Sequence, residues 1–443
     1  LKFNSPHASH NLGHFRLSMS ERGTASLDDN NDGLLAAIRV PAAERTSEQT
    51  KLIRDALEAH DTQLTALRSE QSAAKERAKS IDAAMPKVMV MNDRAEWRPT
   101  FMLTRGLYNQ PGEKVTAEVP ASLPPLADPQ NANRLDLARW LVSRDHPLTA
   151  RVTVNRFWQM LFGIGLVKTS EDFGVQGEYP VQRELLDWLA VEFMESDWDV
   201  KQLLRTIVNS DTYQRNSTIA SAADFERDPD NRLLARGPRF RMPSWMLRDQ
   251  ALAVSGLLNP KLGGPPVYSY QPTGVWSEAT FGKQSYQPST GADLYRRSLY
   301  TFWRRIIGPT IFFDSARRQV CEVKPLRTNT PMHALTTLND VTFVEAARVL
   351  AERALSHDMS DEDRMKWIAK RILCRPATAD ELAIWKRSLD RATRSFTDHP
   401  EDAVKFVSIG DSKRNESLTA VTHAAWTALC LNLLNLDETL TKE

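Results

Sequence analysis

Cysteine is scarce in this 443-residue chain, and Cys321, Cys374 and Cys430 stand far apart. That spacing excludes a zinc ribbon, a thioredoxin-like C-x-x-C and the C-x-x-C-H that attaches haem, while an odd number permits at most one disulfide. Three small buried hydrophobes are the plainer expectation. Long apolar runs are missing too, and none approaches the roughly 20 residues that span a bilayer. An excess of charge of either sign is missing as well. The 57 basic side chains meet 56 acidic ones, leaving +1, so there is no electrostatic argument for a nucleic-acid partner. No Walker loop, dinucleotide fingerprint or nucleophile elbow occurs. The histidines form no H-E-x-x-H or H-x-x-E-H pattern, and His7, His10 and His14, though close in sequence, lie on a truncated edge; no metal site is expected. What remains is ordinary globular composition, with enough length to bury cores in two or three domains.

Residues 1–33 open on HNLGHFRLSMS, where Phe15, Leu17 and Met19 alternate with His14, Arg16 and Ser18. That is the period-two pattern of a half-buried strand. A lone strand needs partners, so the segment reads as the last strand of a truncated β-sandwich, and the chain as the carboxy-terminal part of a longer protein. The LDDNNDG that follows matches half of a calcium loop, but Arg39 occupies the twelfth position, where a glutamate closes the metal shell. An Asx-rich turn is expected instead.

From 46 to 85 the period changes. Thr46 and Gln49 form a capping box, and Ile53, Leu57, His60, Leu64, Leu67, Gln71, Ala74, Ala78, Ile81 and Met85 recur at spacings of four and three. This is a heptad seam in a coiled-coil-like stalk, with dimerisation as one role for it. Asp61-Thr62 could equally start a second helix and turn the rod into a hairpin. Residues 86–119 carry a short β segment, with strands expected at 87–92 and 99–105 and a turn at 110–113. The stretch 120–133, rich in Pro, Asn and Ala, reads as a linker. Beyond it helices are expected at about 134–143, 148–162, 180–196, 199–210, 243–258, 332–356, 361–373, 379–395 and 414–436. The fold class is therefore mainly α: a multi-helix domain over 134–443 with a long irregular, short-strand insertion at 259–330.

Several strings are more specific than this pattern: LTARVTVNRFWQMLFGIGLVKTSEDFG (148–174), ELLDWLAVEFMESDWDVKQLLRTIVNSDTY (184–213), NRLLARGPRFRMPSWMLRDQALAVSGLL (231–258), GGPPVYSYQPTGVW (263–276), RRSLYTFWRR (296–305) and RTNTPMHALTTLNDVTFVEAARVLAER (327–353). With the ending AAWTALCLNLLNLDETLTKE they closely resemble the carboxy-terminal planctomycete-specific domain of unknown function, over about residues 85–443. The resemblance implies a module of a large exported protein in the periplasm or cell envelope. It also implies an upstream c-type cytochrome domain, and often a lectin-like sandwich. The haem would then belong upstream, with no cofactor in this segment and the upstream domains as partners. No catalytic residues carry over.

Chemistry must then come from the residues. Arg296, Arg297, Tyr300, Trp303, Arg304 and Arg305, followed by Arg317, Arg318, Lys324 and Arg327, interleave guanidinium forks with rings. Such forks bind sulfate, phosphate or carboxylate bidentately and stack on aromatic faces, which suits an anionic glycan. Read as a strand, the segment puts Arg296, Tyr300, Phe302 and Arg304 on one side. The alternative is a structural network with Asp293, Asp314 and Glu322. In KTSEDFGVQGEYP, Glu171 could supply one of the two carboxylates of glycoside hydrolysis, with Asp314 as the partner; helix capping by Ser170 and Asp172, with an ion pair to Arg156, is the plainer expectation. Asn329 or Thr330 could cap a helix beginning near Met332, with an anion held by Arg327 at its amino end, and His333 is the histidine to inspect as an acid–base group. Tyr268, Tyr270, Trp276, Phe281 and Tyr286 form either a sugar-stacking platform or loop packing. Two functions follow: binding or processing of anionic polysaccharide, or a non-catalytic docking module that positions an upstream cytochrome c domain.

Overall fold

The computed structural model describes residues 32–92, 94, 98–129, 132–219, 221–304, 307–316, 320–324 and 326–442. The expected strand at HNLGHFRLSMS, most of the LDDNNDG turn, His7, His10, His14, Arg305, Arg317 and Arg318 lie outside them. The chain divides into two compact units between Arg98 and Pro99.

In the first unit, α1 (Asp32–Arg39) packs on α2 (Ser47–His60), and α3 (Thr62–Ala84) follows. The Thr46–Gln49 capping box forms as the sequence predicts. The seam is not one rod. Asp61 leaves helical geometry at φ −78°, ψ 107°, and its carboxylate accepts from the amides of Gln63 and Leu64, starting α3 afresh. An acceptor at that position outcompetes helix continuation because it satisfies amides the helix start leaves open. Residues 87–92 form no strand.

The second unit begins with a hairpin. β1 (Thr100–Leu103) pairs antiparallel with β2 (Pro111–Val115), so the partner of the first strand comes after the turn and not from 87–92. Helices then dominate: α4 (Arg134–Leu141), α5 (Thr149–Phe162), α6 (Arg183–Glu195), α7 (Val200–Val208), and the short α8 (Asp211–Gln214) and α9 (Ala222–Arg227). After β3 (Phe240–Arg241) come α10 (Ser244–Ser255) and α11 (Val275–Ala279). The remainder is α12 (Pro331–Asn339), α13 (Val341–Leu355), α14 (Asp361–Ile372), α15 (Ala379–Asp398), α16 (Pro400–Val407), α17 (Ala420–Leu434), α18 (Asp437–Leu440) and β4 (Thr441–Lys442), which pairs with β3. The chain is thus mainly α.

Helix α17 is apolar on every side, and His423 through Thr427, Leu429 through Leu431, Leu433 and Leu434 are buried. A helix of that kind must be enclosed, and α13, α14, α15 and α16 surround it. One boundary and one unexpected helix depart from expectation here. The single helix expected at 332–356 breaks at Asp340, whose carboxylate caps α13 through the Thr342 amide. Helix α16 begins at Pro400, where the fixed φ of proline suits a first turn. A second core gathers Val154, Trp158, Leu186, Leu189, Phe193, Leu203 and Ile207 from α5, α6 and α7.

The insertion at 259–330 holds together by polar clamps more than by a sheet. The segment 296–304 is not the strand its β-formers suggest. It makes a 3-10 turn at Ser298–Tyr300 and isolated bridges from Arg296 to Asn259, Thr301 to Val267, and Arg304 to Ile307. Its polar backbone is satisfied partly by Val267 and local turns and partly by side chains of α10. Arg248 of α10 donates to the carbonyls of Arg296 and Leu294 at 2.9 Å and to Ser298 Oγ at 3.2 Å. Glu345 of α13 accepts from the Tyr295 hydroxyl at 2.7 Å, the Tyr270 hydroxyl at 3.0 Å and the Ser412 amide at 2.7 Å.

Burial, helped by Glu345, pushes the Tyr270 and Tyr295 hydroxyls well above the usual phenol range, and burial takes Tyr286 up to about 12. In an unfolded chain these groups ionise at about pH 10. The unfolded state therefore releases its protons first as pH rises, so this stabilisation is complete below about pH 10 and is lost as pH climbs through the folded values. Phenolate absorbance should show the Tyr270, Tyr286 and Tyr295 hydroxyls ionising only as the fold opens. Ionisation of these three rings in protein that is still folded would contradict these clamps.

Candidate functional site

Where α10 begins, the outer face of α5 and the segments 297–303, 312–316, 322–323 and 326–327 enclose an open cavity of about 520 Å³. From α5 it takes Arg156, Gln159 and Met160, which share a face by helical spacing. Arg241 and Met242 come from β3 and the residue after it, and Trp245 and Asp249 from α10. The insertion contributes Arg297, Leu299, Trp303, Phe312, Phe313, Asp314, Glu322 and Arg327. Ser244 fixes the join between helix and insertion by donating to the Phe313 carbonyl at 2.6 Å.

The charges in the cavity are not equally committed. Asp249 accepts from the Ser298 amide and hydroxyl at 2.8 and 2.7 Å and lies 3.5 Å from Arg248. Arg241 pairs with Asp437 at 3.5 Å. Arg327 donates to the Gly163 carbonyl at 3.2 Å and stacks over the Phe240 ring at 4.3 Å, and burial holds its guanidinium below the ordinary value. Gly163 ends α5 at φ 84°, and a Cβ there would meet Phe240 at 2.8 Å, so only glycine lets the stack form. Asp314, at φ 53°, accepts from the Thr328 amide at 2.7 Å and hydroxyl at 3.0 Å. The side chains of Arg156 and Arg297 have no hydrogen-bond or ion-pair partner among the described residues, nor does that of Glu322. Beside them, Trp245 is 43% exposed and presents a flat apolar surface.

The sequence-predicted residues divide. Trp303, Asp314 and Arg327 come together in this cavity. His333 sits behind it, buried, stacked on Phe313 with centroids 4.0 Å apart and with Nε2 3.8 Å from Asp314 Oδ1. Its Nδ1 is buried without a hydrogen-bond partner among the described residues. Arg296 is elsewhere and only 2% exposed: it donates to the carbonyls of Pro265, Lys261 and Gly263 and stacks over Tyr300 at 3.8 Å. Tyr300 accepts from the Gly263 amide. Both are therefore loop clamps. Arg304 donates to Gln284 and covers Trp276 at 5.5 Å, outside the cavity. Asn329 is exposed and outside it too, and Thr330 stands at the start of α12 without a side-chain cap bond.

Glu171 is exposed and is not part of the cavity lining. Its loop is built locally. Asn155 bonds the Val167 amide and carbonyl, Ser170 donates to Gln159 at 2.5 Å, and Asp172 accepts from the Gly174 amide. The expected ion pair to Arg156 does not form; Glu178 pairs with Arg232 at 3.2 Å. The aromatic run packs on itself, with Trp276 stacked on Tyr286 at 5.2 Å and Tyr268 on Phe302 at 4.9 Å, leaving only Phe281 prominent. Sequence reasoning missed Arg241, Trp245 and Asp249, and gave Arg156 only a structural role. The periodic outer face of α5 was the one available signal. Among the described residues no cluster of His, Cys, Asp and Glu could hold a metal ion.

Residues 133–389 match the family model described as PSD1, protein of unknown function (DUF1553), over more than half of the chain. No curated protein and no solved structure matches the chain.

Proposed function

Because the chain belongs to the PSD1 family of proteins of unknown function (DUF1553), no activity comes with its membership, and we propose from the cavity itself that the domain binds an anionic polysaccharide there. One observation carries this reading: the side chains of Arg156 and Arg297, both without partners among the described residues, line the same open cavity as the half-exposed Trp245 and the partly buried Trp303. Guanidinium groups recognise sulfate or uronate oxygens, and indole faces pack on sugar rings. If the module also hydrolyses its ligand, two carboxylates are needed. Asp314 and Glu322, both on the insertion's wall of the cavity, are then the pair to test; Glu322 has no partner among the described residues, while Asp314, like Asp249, is held by a neighbouring amide and hydroxyl. The sequence resemblance supports placing the module in the cell envelope, at the carboxy-terminal side of an exported cytochrome-c-associated protein whose haem lies upstream. The alternative, a docking module that positions the cytochrome c domain, draws on the exposed α3.

Affinity electrophoresis and calorimetry of the purified chain against sulfated, uronate and neutral polysaccharides test the reading. Binding is expected to the charged polymers, to weaken with salt, and to fall about tenfold in Arg297→Ala and in Arg156→Ala. Arg304→Ala, outside the cavity, should bind as the parent does. Equal loss in all three variants, or no binding to any polymer, would refute it. Release of reducing ends that Asp314→Asn abolishes would add hydrolysis.

A further inference from the structure

We propose that α3 is half of a parallel, in-register two-stranded coiled coil, and that its partner is a second copy of this chain. The inference is independent of the cavity. Helix α3 runs for 23 residues from Thr62 to Ala84 with none of them buried, yet it is not polar all round. Leu64, Leu67, Gln71, Ala74, Ala78 and Ile81 keep the spacing of three and four along one face. Leu67 is 61% exposed and Ile81 57%, so the described residues leave this stripe uncovered. A face repeating every seven residues asks for another helix at a shallow angle.

The flanking charges say which helix. With Leu64, Gln71 and Ala78 at one core position and Leu67, Ala74 and Ile81 at the other, the residues beside the seam are Glu70 and Arg77 on one edge and Lys75 and Asp82 on the other. In a parallel pair of identical helices, each residue of the first edge meets the residue five positions on in the partner. Glu70 then faces Lys75 of the second copy and Arg77 faces its Asp82. Both pairs attract, and symmetry doubles them. One heptad earlier Gln63 meets Arg68, whose charge is already engaged by Glu58 of its own chain.

The antiparallel arrangement fits less well. Overlaying the whole stripe on its reverse brings like edges together, so Glu70 meets Arg77 but Lys75 meets Arg68, which offers no attraction even with its charge shared by Glu58 of its own chain, so one of the two favourable pairs is lost on each side. It also sets Gln71 against Ala74, where a buried amide has no partner. In the parallel register Gln71 meets its own copy, and a polar residue at that position selects register at some cost in stability. Alanines at two of the central layers keep the association modest. A dimer in the micromolar range is expected, not a permanent one.

Sedimentation equilibrium of the full chain over a concentration series tests this, with circular dichroism to confirm that helix content is retained. The parent should move from monomer to dimer as concentration rises. E70K turns both Glu70–Lys75 contacts repulsive and should weaken the dimer about tenfold. K75E separates the two orientations. In the parallel pair it sets acid against Glu70 and should weaken the dimer as much as E70K does; in the antiparallel pair it would set acid against Arg68 and tighten it. The swap E70K/K75E restores the parallel attraction with its sign reversed, so recovery of the parent constant is expected. A monomer at every concentration overturns the proposal, as does a dimer that E70K leaves unchanged. Tighter association of K75E, or failure of the swap to rescue, overturns the parallel register.

Discussion

Glu345→Ala is expected to lower the unfolding free energy by about 3 kcal/mol, because it removes the buried counter-charge of Arg348, leaving only the partly exposed Glu352 at 3.9 Å, and strips the acceptor from two tyrosine hydroxyls. Glu345 and Arg348 are each only 1% exposed, with Glu345 Oε1 3.7 Å from the guanidinium. Arg348 also donates to the carbonyls of Ile409 and Ser412, and Glu345 collects the Tyr270 and Tyr295 hydroxyls and the Ser412 amide. One carboxylate therefore joins the insertion, α13 and the 409–412 loop. Gly410 crosses this point at φ 101°, and a Cβ on it would overlap the Glu345 carboxyl group, so the loop has no room for any other residue there. Urea unfolding followed by tryptophan fluorescence measures the effect. Glu345→Gln keeps one acceptor oxygen and should lose less. A loss below about 1 kcal/mol for alanine would mean the network is not formed in solution.

The second large effect is expected at Arg248, and it links stability to the cavity. Arg248→Met keeps much of the buried volume but removes three charge-assisted hydrogen bonds, leaving the Leu294 and Arg296 carbonyls without these donors. Each such group costs about 1–3 kcal/mol when unsatisfied and buried, so a net loss of about 3 kcal/mol is expected. The same segment carries Arg297, Ser298, Leu299 and Thr301 into the cavity wall. Hydrogen exchange should therefore quicken at 294–301 before the helical core responds, and polysaccharide binding should fall together with it. Uniform quickening across α13 and α17 would instead mean that the insertion has no separate clamp.

Legibility in the sequence tracked the locality of the physics. Helices α4 to α7, α10, α14 and α15 follow from apolar spacing and from caps such as Asp199 and Thr378, whose partners lie within three residues. The break at Asp340 was legible in principle, since Asp before Val341-Thr342 is a cap in its own right, but the apolar period on both sides concealed it. The β-formers of 296–305 misled for the opposite reason. A strand needs a partner ladder, and here the backbone bonds scatter between Val267, local turns and side chains of α10 nearly fifty positions away. Arg296 and Arg304 carry the same chemistry as Arg297 and Arg327, and nothing local separates a carbonyl clamp from a cavity wall.

Composition, period and capping were enough to establish a mainly helical chain and the heptad stripe of α3, and the resemblance of particular strings was enough for its family, because each depends on contacts a few residues apart or on the order of residues alone. Which arginines are left to meet a ligand was decided by packing across α5, α10 and the insertion. A guanidinium takes whatever acceptor lies nearest in space, and that neighbour can be more than a hundred positions distant, as Gly163 is from Arg327.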